Sequence, residues 1–286
     1  MSSLHFIIIY ICITVAWTVQ IAPQFTNGTS VGKIDNAELN EVSGCAASRM
    51  FKDVLYMHND HGDRPRIFAV NATNAMVIAT FEISPAEHYD WEDIAVGPCS
   101  KTDTASCIFI LDDGTYHGVD KRTIYRLYEP SSLVSQTIAP NGVLKYNWTE
   151  RAADTIMVDP DANVYIIGNV LGGRGMMIQL PDFAWNNNNP VWVESGSFFS
   201  MYSTHTDPES GDISSAGNEV LVKNSGHVYY WKYTDGDVVG ALIHPGADVP
   251  YIAGGLAETV CWSADAQAYF TISEGLHASL NTYTRV

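Results

Sequence analysis

DVLYMHND (53–60), CIFILDDG (107–114), NVYIIGNV (163–170), EVLVKNSG (219–226) and AYFTISEG (268–275) share one design, an apolar run that stops in a polar turn. Val, Ile, Leu, Tyr and Phe fill the runs, and Asp, Asn, Ser and Gly close them. That pattern marks a β-strand entering a tight connection. Helical periodicity is nearly absent elsewhere in the chain.

Each run sits second in a set. First strands are SGCAAS (43–48), EDIAVGP (92–98), DTIMVDP (154–160), GDISSAG (211–217) and ETVCWSAD (258–265). Third strands are RIFAVN (66–71), TIYRLYE (123–129), GMMIQLP (175–181), HVYYWKY (227–233) and LNTYTRV (280–286). VIATFEI, GVLKYNW, PVWVES and VVGALI supply fourth strands, and the last set lacks one. A four-stranded unit that recurs roughly every 50 residues and ends one strand short describes a β-propeller, whose N-terminal segment completes the last blade. TSVGKID (29–35) is the candidate closing strand. The expectation is an all-β chain forming a single propeller of five four-stranded blades. Six blades would need a further sheet within 183–210, where the Asn run 186–189 has loop composition. A sandwich or jelly roll is the competing architecture, but neither requires near-identical sets of four strands.

Residues 1–20, MSSLHFIIIYICITVAWTVQ, form an apolar run too short and too weakly flanked for a membrane span, with small residues such as Ala16 where a peptidase could cut. A secretory signal peptide is expected there, with residues 21–286 as the propeller domain. A single anchor helix is the alternative, but no basic stop signal follows the run. With 46% hydrophobic and 16% charged residues, the chain has the composition of a core-forming globular protein. The net charge of −17 argues against nucleic acid or anionic membrane partners and suits cations, basic proteins or solubility, and no membrane insertion is expected. Three sequons, at Asn27, Asn71 and Asn147, fit a glycosylated, secreted, extracellular protein.

Cys12 leaves with the signal, so Cys45, Cys99, Cys107 and Cys261 remain, an even number. Ring closure makes the innermost strands of blades one and five neighbours, which predicts a Cys45–Cys261 bridge across the seam. Cys99 and Cys107 flank one turn of blade two and should pair locally. Four buried free thiols are the alternative.

Antiparallel strands reverse at each turn, so the turns between second and third strands share a face with the links entering each blade. The polar residues collect on this face. Within the aligned first strands, Glu92, Asp154 and Glu258 fall at one position, with Ser43 and Gly211 in the other two blades. Carboxylates converging on the channel axis repel unless a cation, a proton or an arginine sits among them. This predicts a metal site of Glu92, Asp154 and Glu258, with Asp60, Asp90 and Asp112 nearby. All-oxygen ligands select a hard cation, Ca²⁺ before Mg²⁺. Backbone-capping carboxylates around a water-filled channel would account for the same acids. No nucleophile elbow and no zinc spacing occur. His61, His88 and His205 are the candidate catalytic bases.

EVSGCAAS, LYMHNDHGDRPRIFAV, DWEDIAVGP, SGDISSAG and TISEG resemble a family of uncharacterised secreted β-propellers with the pattern E-x-SGLA, HNDSGD, DWEDIA, DIGDN, GDIS-x-DG and SEG. The similarity runs from about residue 38 to the end. It implies a propeller, and it puts Asn59, Asp60, Asp63, Asp90, Glu92, Asp93 and Glu274 at the family's motif positions. DDGTY (112–116) replaces DIGDN, which weakens any ligand role carried over to the second acidic residue of that motif. More distantly the chain looks like gluconolactonase-type, phytase-type and other TolB-like propellers, some of which hydrolyse with a channel-mouth Ca²⁺. It lacks the basic cluster that a phytate-like polyanion would need. Together these features predict an acidic extracellular binding or matrix protein that binds Ca²⁺ and an extracellular ligand or matrix component. A metal-dependent lactonase or esterase is the alternative.

Overall fold

The structure, a computed structural model, describes residues 20–114, 122–148, 152–170, 174–185, 187–193, 196–199, 208–254 and 257–286. Residues 1–19, most of the expected signal segment, lie outside that set, as does His205.

Five sheets stand around one axis. Blade 1 holds Val42–Ala47, Val54–Asn59, Arg66–Asn71, Val77–Ile83 and a short outer strand, Gln136–Ile138. Blade 2 holds Trp91–Pro98, Ser106–Asp112, Arg122–Tyr128, Gly142–Trp148 and Val191–Val193. Blade 3 is Ala153–Val158, Val164–Val170, Arg174–Leu180 and Ser197–Phe199, and blade 4 is Ser210–Ile213, Glu219–Lys223, Val228–Lys232 and Ala247–Val249. Blade 5 is Ala257–Trp262, Ala268–Ser273 and Ser279–Thr284, completed by Thr29–Lys33 from the N-terminal side. That strand pairs antiparallel with Ser279–Thr284, and Phe25 bridges to Arg285 beyond it, so the ring closes as the missing strand predicts.

The apolar runs follow from this layering. A second strand such as Val54–Asn59 is buried at every residue because blades cover both its faces, whereas Val77–Ile83, further from the axis, alternates. Five apolar clusters result, one between each pair of neighbouring blades. Trp91, Tyr56 and Phe81 fill the gap between blades 1 and 2, and Trp262, Tyr269 and Tyr283 that between blades 4 and 5. Both disulfides form as expected, Cys45–Cys261 across the seam with Cα atoms 5.7 Å apart and Cys99–Cys107 within blade 2 at 4.9 Å.

Two strand expectations fail and one strand is added. PVWVES does not complete blade 3: Val191–Val193 pairs parallel with Tyr146–Trp148 as the outer edge of blade 2, and Ser197–Phe199 takes the place in blade 3. VVGALI is not a strand. Asp237 accepts the N–H of Gly240 at 2.8 Å and caps a short helix, Val238–Leu242, so Ala247–Val249 supplies the fourth strand. The outermost parallel strand Gln136–Ile138 was not anticipated.

Among the described residues, no helix is long and apolar enough to cross a membrane. Asn27 is exposed, while Asn71 and Asn147 are half-buried, the latter within the fourth strand of blade 2.

Candidate cation site at the channel mouth

Backbone hydrogen bonds tie the entry links to the second turns. Asp60 N–H donates to Glu41 O at 2.8 Å, Asp113 N–H to Asp90 O at 3.0 Å, and Gly275 N–H to Asn40 O at 2.8 Å. The polar turns and the links therefore share one face, the mouth of the channel.

Four inner strands carry a β-bulge near that face. The register shifts between Val42 and Gly44, Trp91 and Asp93, Ala153 and Thr155, and Ala257 and Thr259. The extra residues are Ser43, Glu92, Asp154 and Glu258, the set aligned from sequence. Bulges re-aim side chains at strand ends and recur beside functional sites. Blade 4 lacks a bulge, and its member of the set was misassigned. Ser48, Asp159, Ser214 and Ser263 each donate their N–H across the first hairpin of their blades. Five residues before them stand Ser43, Asp154, Glu209 and Glu258. Glu209, not Gly211, is thus the fourth blade's contribution, and the rim carries four carboxylates and one serine.

The layer beneath the rim is closed. Asp93, Thr155, Ser210 and Thr259 follow the rim residues on their strands and are buried. Asp93 reaches across the axis: its Oδ2 accepts the N–H of Ile156 at 3.1 Å and of Gly211 at 3.3 Å, and its Oδ1 accepts Ser210 Oγ–H at 3.2 Å. Gly211 permits this approach, since a Cβ there would meet Leu221 O and Thr155 Cγ2 at 3.0 Å. The mouth is a floored cup rather than a conduit.

Into this cup the turns bring further acids. Asp60, His61 and Asp90 each offer a ligand atom within 4.8 Å of the others. Asp60 is the hub. Its Oδ2 lies 2.8 Å from His61 Nδ1, while its Oδ1 is shielded from solvent and has no hydrogen-bond partner. Burial, then the charges of Asp154, Asp90, Asp60 and Asp113, hold the Glu92 carboxyl well above the usual range. Burial, then Glu258, Asp60 and Glu41, push Glu274 up to about 7. Burial also raises Glu258, with Asp60 adding and Lys223 opposing. Lys223 is buried with its Nζ 2.6 Å from Glu209 Oε2, so a tethered ammonium serves the blade 4 and 5 side of the rim. On the opposite side the buried Arg122 is bonded to Asp113 Oδ1 at 2.8 Å and to Trp148 O at 2.7 Å. Asp113 is thereby compensated, whereas Asp60, Asp90, Glu92 and Asp154 still crowd together.

The expected ligands thus divide. Asp60, Asp90, Glu92, Asp154 and Glu258 come together at the mouth. Asp112 does other work: its carboxylate accepts the N–H groups of Asp90 at 3.0 Å and Tyr89 at 3.4 Å, bracing the link that presents Asp90. Of the histidines, His61 lies at the rim with its pKa raised, first by its hydrogen bond to Asp60. His88 faces the carbonyl oxygens of Asp60 and Arg64 with its two ring nitrogens and packs 4.4 Å from Trp91, which leaves neither nitrogen for a substrate. Glu209, Lys223 and Glu274 complete the site. The SEG turn marked Glu274, but no local signal singled out Lys223.

These acids set a pH dependence. Asp112 and Glu274 titrate near 7 and Asp212 near 6, with Glu92, Asp93 and Glu258 also raised. A carboxyl raised in the folded state contributes stability at low pH that is lost as pH climbs through the folded value. Buried His58, lowered to about 4, and His88, also lowered, oppose this as pH falls through the ordinary histidine value near 6.5, so at pH 6 they take back part of the gain. The metal-free protein should therefore melt higher at pH 6 than at pH 8, by about 1 kcal/mol for buried Asp112 and less for the half-exposed, solvent-screened Glu274, with the two histidines offsetting part of it, or roughly 1–4 °C in total. Calorimetric scans in chelator check this. A flat or opposite profile would mean the acids are not crowded in solution.

Compared with known proteins, the chain matches no family model and no curated sequence. Solved β-propellers are similar in fold. The PQQ-bound aldose sugar dehydrogenase of Streptomyces coelicolor is 11% identical with a TM-score of 0.49, covering 92% of this chain and 99% of that one. The Cps50 (Swd1) β-propeller domain of Myceliophteria thermophila is 10% identical with a TM-score of 0.47, covering 91% and 100%. At these levels no activity is transferred.

Proposed function

We propose that the protein is a secreted, acidic extracellular binding protein whose channel mouth holds a Ca²⁺ ion that presents it to an extracellular ligand or matrix component. The observation that supports this most is Asp60 Oδ1, a carboxylate oxygen shielded from water and without a partner, set among Asp90, Glu92 and Glu258. A buried anionic oxygen without a donor is costly, and a small hard cation relieves it while neutralising the neighbouring repulsion. The floor of the cup leaves the outer side of such an ion for a partner's oxygen atoms. The two disulfides suit an oxidising compartment.

Calcium should raise the melting temperature, by roughly 5–10 °C at a hundred times Kd, equivalent to about 2.7 kcal/mol. The gain should grow from pH 6 to pH 8, because calcium binds the ionised acids. Glu92→Gln should act in two directions. It removes a repelling charge, so the metal-free variant melts above the wild type, and it weakens calcium about tenfold or more. Absence of both heat and melting shift on calcium titration would end this proposal.

One observation favours a second reading, a metal-dependent lactonase or esterase. His61 stands beside the proposed ion, hydrogen-bonded to Asp60, where a general base would be required. A screen of lactones and esters with the calcium-loaded protein separates the two; turnover lost in His61→Gln with calcium affinity retained would establish the enzyme.

A further inference from the structure

At the end of the channel away from the acidic mouth, a half-buried arginine stands short of hydrogen-bond partners. Where the first hairpins turn, a cavity of about 200 Å³ opens between blades 1 to 4, and Arg49 enters it from blade 1. Its guanidinium makes one long hydrogen bond, from Nη2 to Val96 O at 3.4 Å. Nη1 is shielded from bulk solvent and has no partner, and Ser106 Oγ on the blade 2 wall is in the same condition. Two buried donors around one cavity, one of them cationic, call for an acceptor within it.

The nearby acids do not supply it. Asp159 Oδ1 accepts the N–H groups of Asp161 and Asn163, both at 2.9 Å, and its Oδ2 accepts Asn163 Nδ2 at 2.8 Å and Tyr165 O–H at 3.0 Å. Asp212 Oδ2 is taken by Trp262 N–H at 2.8 Å, and the Arg49 charge, near enough to oppose the burial that raises the Asp212 carboxyl, acts on it only through space. No ion pair between Arg49 and either carboxylate forms among the described residues. Val96, Val158 and Pro160 supply apolar wall, and Thr104, Ser214 and Ser215 line the rest with hydroxyl-bearing residues.

We propose that this cavity binds a small aliphatic monocarboxylate, its carboxylate on Arg49 and Ser106 and its stem against Val96, Val158 and Pro160. Arginine pairs with carboxylates through short, charge-assisted hydrogen bonds. The volume accommodates about six water-sized groups, which suits an acid of about three to five carbons. The negative charges of Asp159 and Asp212 disfavour a dianion such as inorganic phosphate.

Titration calorimetry of the purified protein with butyrate, and separately with phosphate, tests this on the wild type, Arg49→Gln and Ser106→Ala. Butyrate should bind one to one, about tenfold more weakly to Arg49→Gln and about threefold more weakly to Ser106→Ala, with phosphate weaker than butyrate throughout. The calcium response at the opposite mouth should be unchanged in both variants, which also reports an intact fold. No saturable binding of butyrate by the wild type, or the same affinity in both variants, overturns the proposal. If Arg49→Gln does not fold, Ser106→Ala decides alone, and an unchanged affinity there overturns it.

Discussion

Asp93→Ala should cost about 4 kcal/mol of folding stability, the loss expected when two buried amides and a hydroxyl lose their acceptor at once. Asp93 is fully buried, and its carboxyl joins blade 2 to Ile156 of blade 3 and to Ser210 and Gly211 of blade 4. No outer-strand contact can replace a tie on the axis. Burial holds this carboxyl well above its ordinary range, with the donated hydrogen bonds of Ile156, Ile94, Gly211 and Ser210 opposing. Asp93→Asn should consequently be mild, about 1 kcal/mol, because the amide oxygen can face the two N–H groups while its NH₂ faces Ser210 Oγ. Denaturant unfolding of both variants checks the pair of values. A loss below about 1 kcal/mol for the alanine variant would show that the inner strands are held together elsewhere.

Removing the Cys45–Cys261 bridge, as the double alanine variant, should cost about 5 kcal/mol and lower Tm by roughly 10–20 °C. The bridge spans 216 residues and joins the first blade to the last, so it withdraws most of the chain's freedom from the unfolded state. Cys99–Cys107 closes 8 residues, and its removal should cost about half as much. Scanning calorimetry on both double variants compares them directly. Equal losses would mean that the closing strand Thr29–Lys33, rather than the bridge, secures the seam.

The sequence made most of the ring legible because second strands such as Val54–Asn59 and third strands such as Arg66–Asn71 and Val228–Lys232 are buried on both faces and must be written in strand-forming apolar residues. The outer strands escaped for physical reasons. Val191–Val193 carries the strand signal, but which blade it joins depends on a parallel pairing beyond its own residues. The valines of VVGALI suggested a strand, and the Asp237 cap just before them, which favours a helix, was the overlooked signal. At the mouth, Glu92, Asp154 and Glu258 could be aligned because a bulge sits at the same place in each of their strands. Blade 4 has no bulge, and the likeness of GDIS to EDIA shifted its alignment by two residues and hid Glu209. Lys223 could not have been found, since its role comes from strands distant in sequence. Asp112 looked like a ligand because turn carboxylates that cap amides and those that hold ions have the same local sequence.

If the crowded acids of the mouth hold a calcium ion, crystals grown with Ca²⁺ should give one strong anomalous difference peak there, with carboxylate oxygens of Asp60, Asp90 and Glu92 about 2.3–2.6 Å away. Calcium-containing crystals with no peak there, or with these carboxylates bonded only to water, would contradict calcium binding at the mouth.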